Sequence, residues 1–123
     1  MHVIVPDDKP PKIFNFTTKA AVNASQNVKL FCGTEGEPPF ANVQWFKNGV
    51  SVGRCKGELQ QNKTCVLDQH HRKYSISWRG SGAELMIKNV FHPFDTGDFT
   101  CVAVNTIGMD NKTVHLDIYG KCG

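Results

Sequence analysis

The 123-residue sequence predicts an all-β fold of two packed layers. Short segments alternate apolar and polar residues with period two, giving each strand one buried and one wet face. Gly, Pro and Asn clusters break these segments at regular intervals, which describes a sandwich and not a helical protein. Finally, Cys32, Trp45 and Cys101 stand on the apolar faces of three segments, and Asp95-Thr-Gly-Asp-Phe-Thr-Cys101 enters the last of them through a sharp corner.

Taken in order, residues 1–11 hold three prolines and mixed charges and read as a lead-in. A β-prone strand follows over 13–18, then a short segment over 20–24 that crosses to the other layer. Residues 28–32 alternate with Val28, Leu30 and Cys32 inward, and 33–40, with its Pro38-Pro39 pair, is a loop at one end. Residues 43–47 form a strand with Val43 and Trp45 inward. Asn48-Gly49 is a strong hairpin signal and leads into a strand over 50–54. Residues 55–69 are polar and turn-rich and read as an inserted loop. Strands are expected over 74–78 and 83–87, the second with Leu85 and Ile87 inward, joined by Gly80-Ser-Gly82. Residues 89–96 turn the corner. Gly97 is expected to supply the backbone freedom a tight corner needs, and Phe99 and Cys101 face inward together on a strand over 98–105. Thr106-Ile-Gly108 closes a last hairpin, and 111–118 is the final strand, with Val114 and Leu116 inside.

A chain of this length, 40% hydrophobic, suits one domain. Folding at this size buries roughly two thirds of the surface of the extended chain, enough for one core. Five cysteines beside the sequons at Asn15, Asn23, Asn62 and Asn111 indicate an oxidising, secretory environment and N-linked glycans. No stretch reads as a signal peptide or approaches a membrane span. The expectation is therefore a piece of a larger extracellular or cell-surface ectodomain. The net charge of +3 is too small to argue for nucleic acid, yet it permits a basic face for a polyanion.

Cys32…Trp45…Cys101 with the Asp-x-Gly-x-aromatic-x-Cys corner resembles the immunoglobulin superfamily. The crossing segment over 20–24 and the short strand after Asn48-Gly49 suit its intermediate set. The resemblance implies an immunoglobulin-like β-sandwich (I-set) over 12–119, with Greek-key connections and a core inter-sheet disulfide, Cys32–Cys101. Residues 120–123 would begin a linker to a next domain. Cys55 and Cys65 are expected to pair with each other, with Cys122 as the alternative partner for either. Most such domains carry tyrosine where Phe99 stands, so this corner must rely on packing and other polar contacts. Asp95 with Arg72 is the pair that the family arrangement suggests.

Several stretches are similar to the second immunoglobulin domain of fibroblast growth factor receptors. They are Ala21-Val22 with Asn27-Val-Lys-Leu-Phe-Cys32, Trp45-Phe-Lys-Asn-Gly49, Gly97 to Asn105, and most specifically Gly108-Met-Asp-Asn-Lys-Thr-Val-His-Leu-Asp-Ile118. That resemblance implies a receptor tyrosine kinase ectodomain binding a growth-factor-like protein ligand. Ala21 and Asn23 on the early edge and Ile118 at the linker would face the ligand. Lys19 and Lys29 would bind heparan sulfate. The immunoglobulin domain of Ror-type receptors is also similar, and an adhesion or secreted immunoglobulin protein is the alternative.

Nothing in the pattern argues for catalysis, a cofactor or a metal. His70-His71 with Cys65 matches no structural zinc spacing, and Gly80-Ser-Gly82 lacks the third glycine and the helix of a phosphate cradle. His92 and His115 read as surface residues. Arg54, Lys56 and Lys63, in or near the inserted loop, and the run His70-His-Arg-Lys73 read as solvated charge.

Overall fold

The structure, a computed structural model, describes residues 9–37, 42–57, 63–68 and 72–120. Ten strands follow one another: β1 (Lys9–Phe16), β2 (Ala20–Asn23), β3 (Val28–Glu37), β4 (Asn42–Lys47), β5 (Val50–Lys56), β6 (Thr64–Leu67), β7 (Tyr74–Arg79), β8 (Gly82–Ile87), β9 (Gly97–Val104) and β10 (Met109–Tyr119). They form a four-stranded sheet, β1-β3-β8-β7, facing a six-stranded sheet, β2-β10-β9-β4-β5-β6. Every pairing is antiparallel except β2 with β10, which run parallel.

Alternation fills the space between the sheets. Leu30, Cys32, Ala83, Leu85 and Ile87 come from the smaller sheet, and Val43, Trp45, Phe99, Cys101 and Leu116 from the larger one; all are fully buried. Cys32 and Cys101 are bonded across the layers, 6.5 Å apart at Cα. Trp45 packs beside this bridge. Phe16 stacks on its indole, centroids 5.8 Å apart and planes 20° off parallel. The indole N–H donates to the Ala83 carbonyl of the opposite sheet at 3.3 Å, so the one polar atom of the ring is not stranded. Each buried Val, Leu, Ile or Phe side chain contributes on the order of 1.5–3 kcal/mol.

Besides β3, which runs on to Glu37 through residues expected as a loop because β1 pairs with it there, three local features differ from expectation. The inserted loop contains a strand, β6, because Cys65 is bonded to Cys55 directly opposite it on β5. A covalent partner and a ladder together override the turn-rich composition around it. At the other end of the chain, β1 begins at Lys9 inside the expected lead-in. Pro10 and Pro11 are tolerated there because β1 is an edge strand, where a missing N–H need not break a ladder. Third, Gly97 does not take a left-handed conformation. A Cβ on Gly97 would lie 2.8 Å from both amide atoms of Asn48, so the glycine makes room for the hairpin. Asn48 and Gly49 take φ of 49° and 84°, as a tight two-residue turn requires. The Asn48 carboxamide oxygen then accepts the Asp98 N–H at 2.9 Å, and the Asn48 N–H donates to the Asp98 carbonyl at 2.8 Å.

The corner before β9 replaces the absent tyrosine hydroxyl with a carboxylate. Asp95 is buried, and its Oδ2 accepts the Phe91 N–H at 2.8 Å and a hydrogen bond from the Lys73 ammonium. The Asp95 N–H closes the turn on the Phe91 carbonyl at 2.9 Å. Lys73, not Arg72, is the partner. The Lys88 N–H holds the Lys73 carbonyl at 2.8 Å beside β8, and the Lys73 ammonium lies 5.6 Å from the centroid of the Phe91 ring. Adjacent residues near a strand point to opposite sides, which leaves Arg72 exposed. The same corner holds the Tyr74 phenol above its ordinary pKa, first by burial and then by the Asp95 charge.

Candidate interaction edge and surface sites

The edge where the chain first enters the larger sheet is built by β2 lying parallel to the end of β10. Ala20, Ala21, Val22 and Asn23 pair with Leu116, Asp117, Ile118 and Tyr119. Ala20 is buried and Val22 half-buried, so Ala21 and Asn23 must face solvent, and both are exposed. Ile118 does not join them. It is 9% exposed and continues the inward series Val114, Leu116, Ile118. The same period-two pattern that assigned Val114 and Leu116 to the core assigns Ile118 there as well. The outward side chains at this end are Asp117 and Tyr119, the latter 58% exposed. The edge closes where the Ala24 N–H donates to the Tyr119 carbonyl at 2.7 Å.

Next to this edge lies a cluster that separate inspection of single residues does not reveal. On the outer face of the larger sheet, His115 of β10 stands across from Asp98 of β9. Its Nδ1 is 2.7 Å from Asp98 Oδ1 and its Nε2 is 3.2 Å from Asp117 Oδ1. The hydrogen bond to Asp98 is the main reason its pKa is raised; desolvation opposes, and the two carboxylate charges and the hydrogen bond to Asp117 add to the rise. His115 and Asp98 pair in register, and Asp117 follows two residues after His115, so the period-two reading combined with the register would have found the group.

The expected basic residues divide into two kinds. Lys19 lies exposed on the crossing between β1 and β2. Lys29 lies exposed on β3, just past the point where β1 leaves its neighbour at Phe16 opposite Cys32. Two bonds tie these segments together: the Thr17 N–H donates to the Phe31 carbonyl at 3.0 Å, and the Phe31 N–H to Thr17 Oγ1 at 2.9 Å. Arg54 and Lys63, by contrast, are engaged at the rim. Arg54 pairs with Asp68 at 2.9 Å, and the Ser51 hydroxyl donates to Asp68; the Ser51 hydrogen bond first, and then Arg54, hold that carboxyl below its ordinary pKa. Lys63 is buried, donates to the Gly57 carbonyl at 2.6 Å and lies 5.4 Å from the centroid of the Trp78 ring; its burial lowers its pKa.

Of the sequon asparagines, Asn15 on β1, Asn23 on β2 and Asn111 on β10 are all exposed. Asn62, Cys122 and His70-His71 lie outside the described residues. Cys65, being bonded to Cys55, is not available as a metal ligand. Among the described residues no group of three His, Cys, Asp or Glu side chains comes together in a way that could hold a metal ion. Nor is any described helix long and apolar enough to cross a membrane.

Residues 11–118 match the model of the immunoglobulin I-set domain. The chain belongs to that family. This I-set domain is 32% identical over 105 residues, 85% of its length, to neural cell adhesion molecule 1 of Gallus gallus, and covers 8% of that protein. It is 31% identical over 102 residues, 83% of its length, to hemicentin-1 of Homo sapiens, and covers 2% of it. It therefore corresponds to a small part of each relative. Among solved structures, the N-terminal Ig1-2 module of the Drosophila receptor protein tyrosine phosphatase DLAR superimposes with a TM-score of 0.72 at 24% identity, over 90% of this chain and 50% of that one. At that identity the likeness concerns the fold. I-set domains are generally non-enzymatic and commonly bind protein partners through their surfaces.

Proposed function

We propose that this I-set domain is an extracellular recognition module of an adhesion or receptor ectodomain, and that it binds a protein partner through the edge formed by β2 and β10. Its likeness over most of its length to part of a cell adhesion molecule carries the reading. The edge supports it: Ala21, Asn23, Asp117 and Tyr119 present a small apolar, polar, acidic and aromatic set on paired, rigid strands. The two disulfides and the exposed sequon asparagines Asn15 and Asn111, which lie off this edge's contact set, support a secreted, glycosylated chain. The test is adhesion of beads coated with the secreted chain, to one another and to cultured cells. Aggregation or cell capture that Tyr119→Ala and Asp117→Ala reduce at least tenfold, with unchanged Tm, supports the reading. Inert beads, or binding indifferent to both substitutions, overturn it.

A narrower reading, a growth-factor receptor of the fibroblast growth factor receptor kind with a tyrosine kinase in the full-length protein, draws on the Gly108 to Ile118 stretch and on Lys19 and Lys29. Both lysines are exposed at the place where β1 leaves β3, which suits an anion-binding strip. Its ligand would meet Ala21 and Asn23. Retention on immobilised heparin that falls steeply with salt, and that Lys19→Ala with Lys29→Ala abolishes, supports this strip. Retention unaffected by the double substitution removes it.

A further inference from the structure

Phe31 sits between Leu30 and Cys32, which are both fully buried, so alternation turns its ring to the outer face of the smaller sheet. There it covers bare backbone. Gly33 of β3 and Gly82 of β8 stand opposite each other in register. A Cβ on Gly33 would lie 2.8 Å from Phe31 Cε2, and one on Gly82 would lie 2.6 Å from Phe31 Cζ. The ring thus fills space beside both glycines, although at Gly82 the Cys32 carbonyl would be closer still to a Cβ, at 2.4 Å, and the ring stays half-exposed to solvent. Asn15 is the partner of Gly33 on the other side, across β1. Its Cβ lies 3.0 Å from the same Gly33 point that meets the ring, so Asn15 and the ring edge flank one spot. Asn15 heads the sequon Asn15-Phe16-Thr17, and the backbone N–H of Phe31 donates to the Thr17 hydroxyl at 2.9 Å.

A sequon asparagine beside a flat, half-exposed ring that lies over two glycines, with Glu84 as its cross-strand neighbour, has the features of a seat for a sugar. We propose that an N-linked glycan on Asn15 turns back over this face, its first N-acetylglucosamine laying a C–H face against Phe31. Pyranose C–H groups carry partial positive charge and the ring face partial negative charge, the complementarity that favours aromatic edges and cations over such faces. The contact exists only in the folded chain, because the unfolded chain does not hold Asn15 beside Phe31. The sugar therefore stabilises the fold and shields the outer face of the smaller sheet at its β1 edge. This goes beyond the proposed function and needs only passage through the secretory route.

The test uses the chain secreted from a cell line that makes high-mannose glycans, carrying Asn23→Gln, Asn62→Gln and Asn111→Gln so that Asn15 is the single remaining sequon. Three forms are compared: the full glycan, the single N-acetylglucosamine left by endoglycosidase, and Asn15→Gln. The two glycosylated forms are expected to share one Tm, with Asn15→Gln about 3–5 °C lower. With Phe31→Leu the three forms should melt together. An unmodified Asn15 in peptide mapping, equal melting of all three forms, or a difference that survives Phe31→Leu overturns the proposal. If Phe31→Leu does not fold, proton NMR of the single-sugar form decides. Sugar ring protons shifted upfield, with cross-peaks to the Phe31 ring, uphold it; unshifted protons without them overturn it.

Discussion

Cys32–Cys101 closes 69 residues of sequence and joins the two sheets; Cys55–Cys65 closes 10 and joins neighbouring strands of one sheet. The first lies in the layer of Trp45, Phe16, Leu30 and Phe99, where apolar burial also holds the sheets together. The second runs from Cys55, fully buried at the margin of the same core, out to the rim, where β6 has four residues and one neighbour in its sheet, beside an Arg54–Asp68 pair and Lys63 against Trp78. The same covalent bond therefore does different work. In the core it adds to an arrangement that packing already specifies. At the rim it creates a strand that composition would not.

The largest effect should come from the core itself. Trp45→Ala removes the indole between the sheets and leaves Phe16 without its stacking partner, and should cost about 3–5 kcal/mol in chemical denaturation. A loss below about 1 kcal/mol would mean that the bridge and not the packing holds the layers. Removing the bridge, with Cys32→Ala and Cys101→Ala, should cost about 4 kcal/mol in the chain-entropy picture, against about 3 kcal/mol for Cys55→Ala with Cys65→Ala. The contrast sharpens in hydrogen exchange. Opening the rim bridge should expose the amides of β6 and the facing half of β5 and leave β3, β8 and β9 protected. If β9 loses protection too, rim and core are one cooperative unit and the distinction fails.

A smaller effect is expected between these regions, at the corner. Asp95→Asn keeps the size of the side chain but weakens its hold on the Phe91 N–H and removes the charge facing Lys73. One buried acceptor with two donors should account for about 1–3 kcal/mol. Arg72→Ala should change Tm little, because Arg72 is exposed. The reverse ranking would restore Arg72 as the partner at this corner.

How far the fold was readable from the sequence follows the same division. Alternation and the Cys, Trp, Cys and Asp-Gly signals are local, and a core imposes them, so they located the sandwich, its inward residues and the bridge at Cys32 and Cys101. The rim strand at 64–67 was not visible because its pairing is imposed by a residue elsewhere in the chain. Lys73 was missed in favour of Arg72 because the choice depends on which side chain the Lys88 contact turns inward. At the candidate edge, Ala21 and Asn23 were placed outward by resemblance, and both are exposed. Ile118 was drawn outward by resemblance although its own strand period placed it inside. Surface groups such as His115 with Asp98 and Asp117 depend on cross-strand register, which single strands do not announce.

The smallest effect is electrostatic, and it lies at the outer face beside the β2–β10 edge. His115 has its pKa raised from the ordinary 6.5, chiefly by the hydrogen bond to Asp98. A raised folded-state pKa means that the folded chain holds its proton more tightly than the unfolded one. The associated stability is fully present below pH 6.5 and is lost as pH rises through the folded-state value. Because the imidazole is exposed, the gain is small and screened by salt. An NMR titration of the His115 ring should therefore give a midpoint above 6.5 at low ionic strength, moving down as salt is added. Asp98→Asn should lower that midpoint more than Asp117→Asn, since the first removes the shorter, cross-strand contact. The opposite order would mean that charge along β10, and not register between β9 and β10, sets the proton affinity of this face.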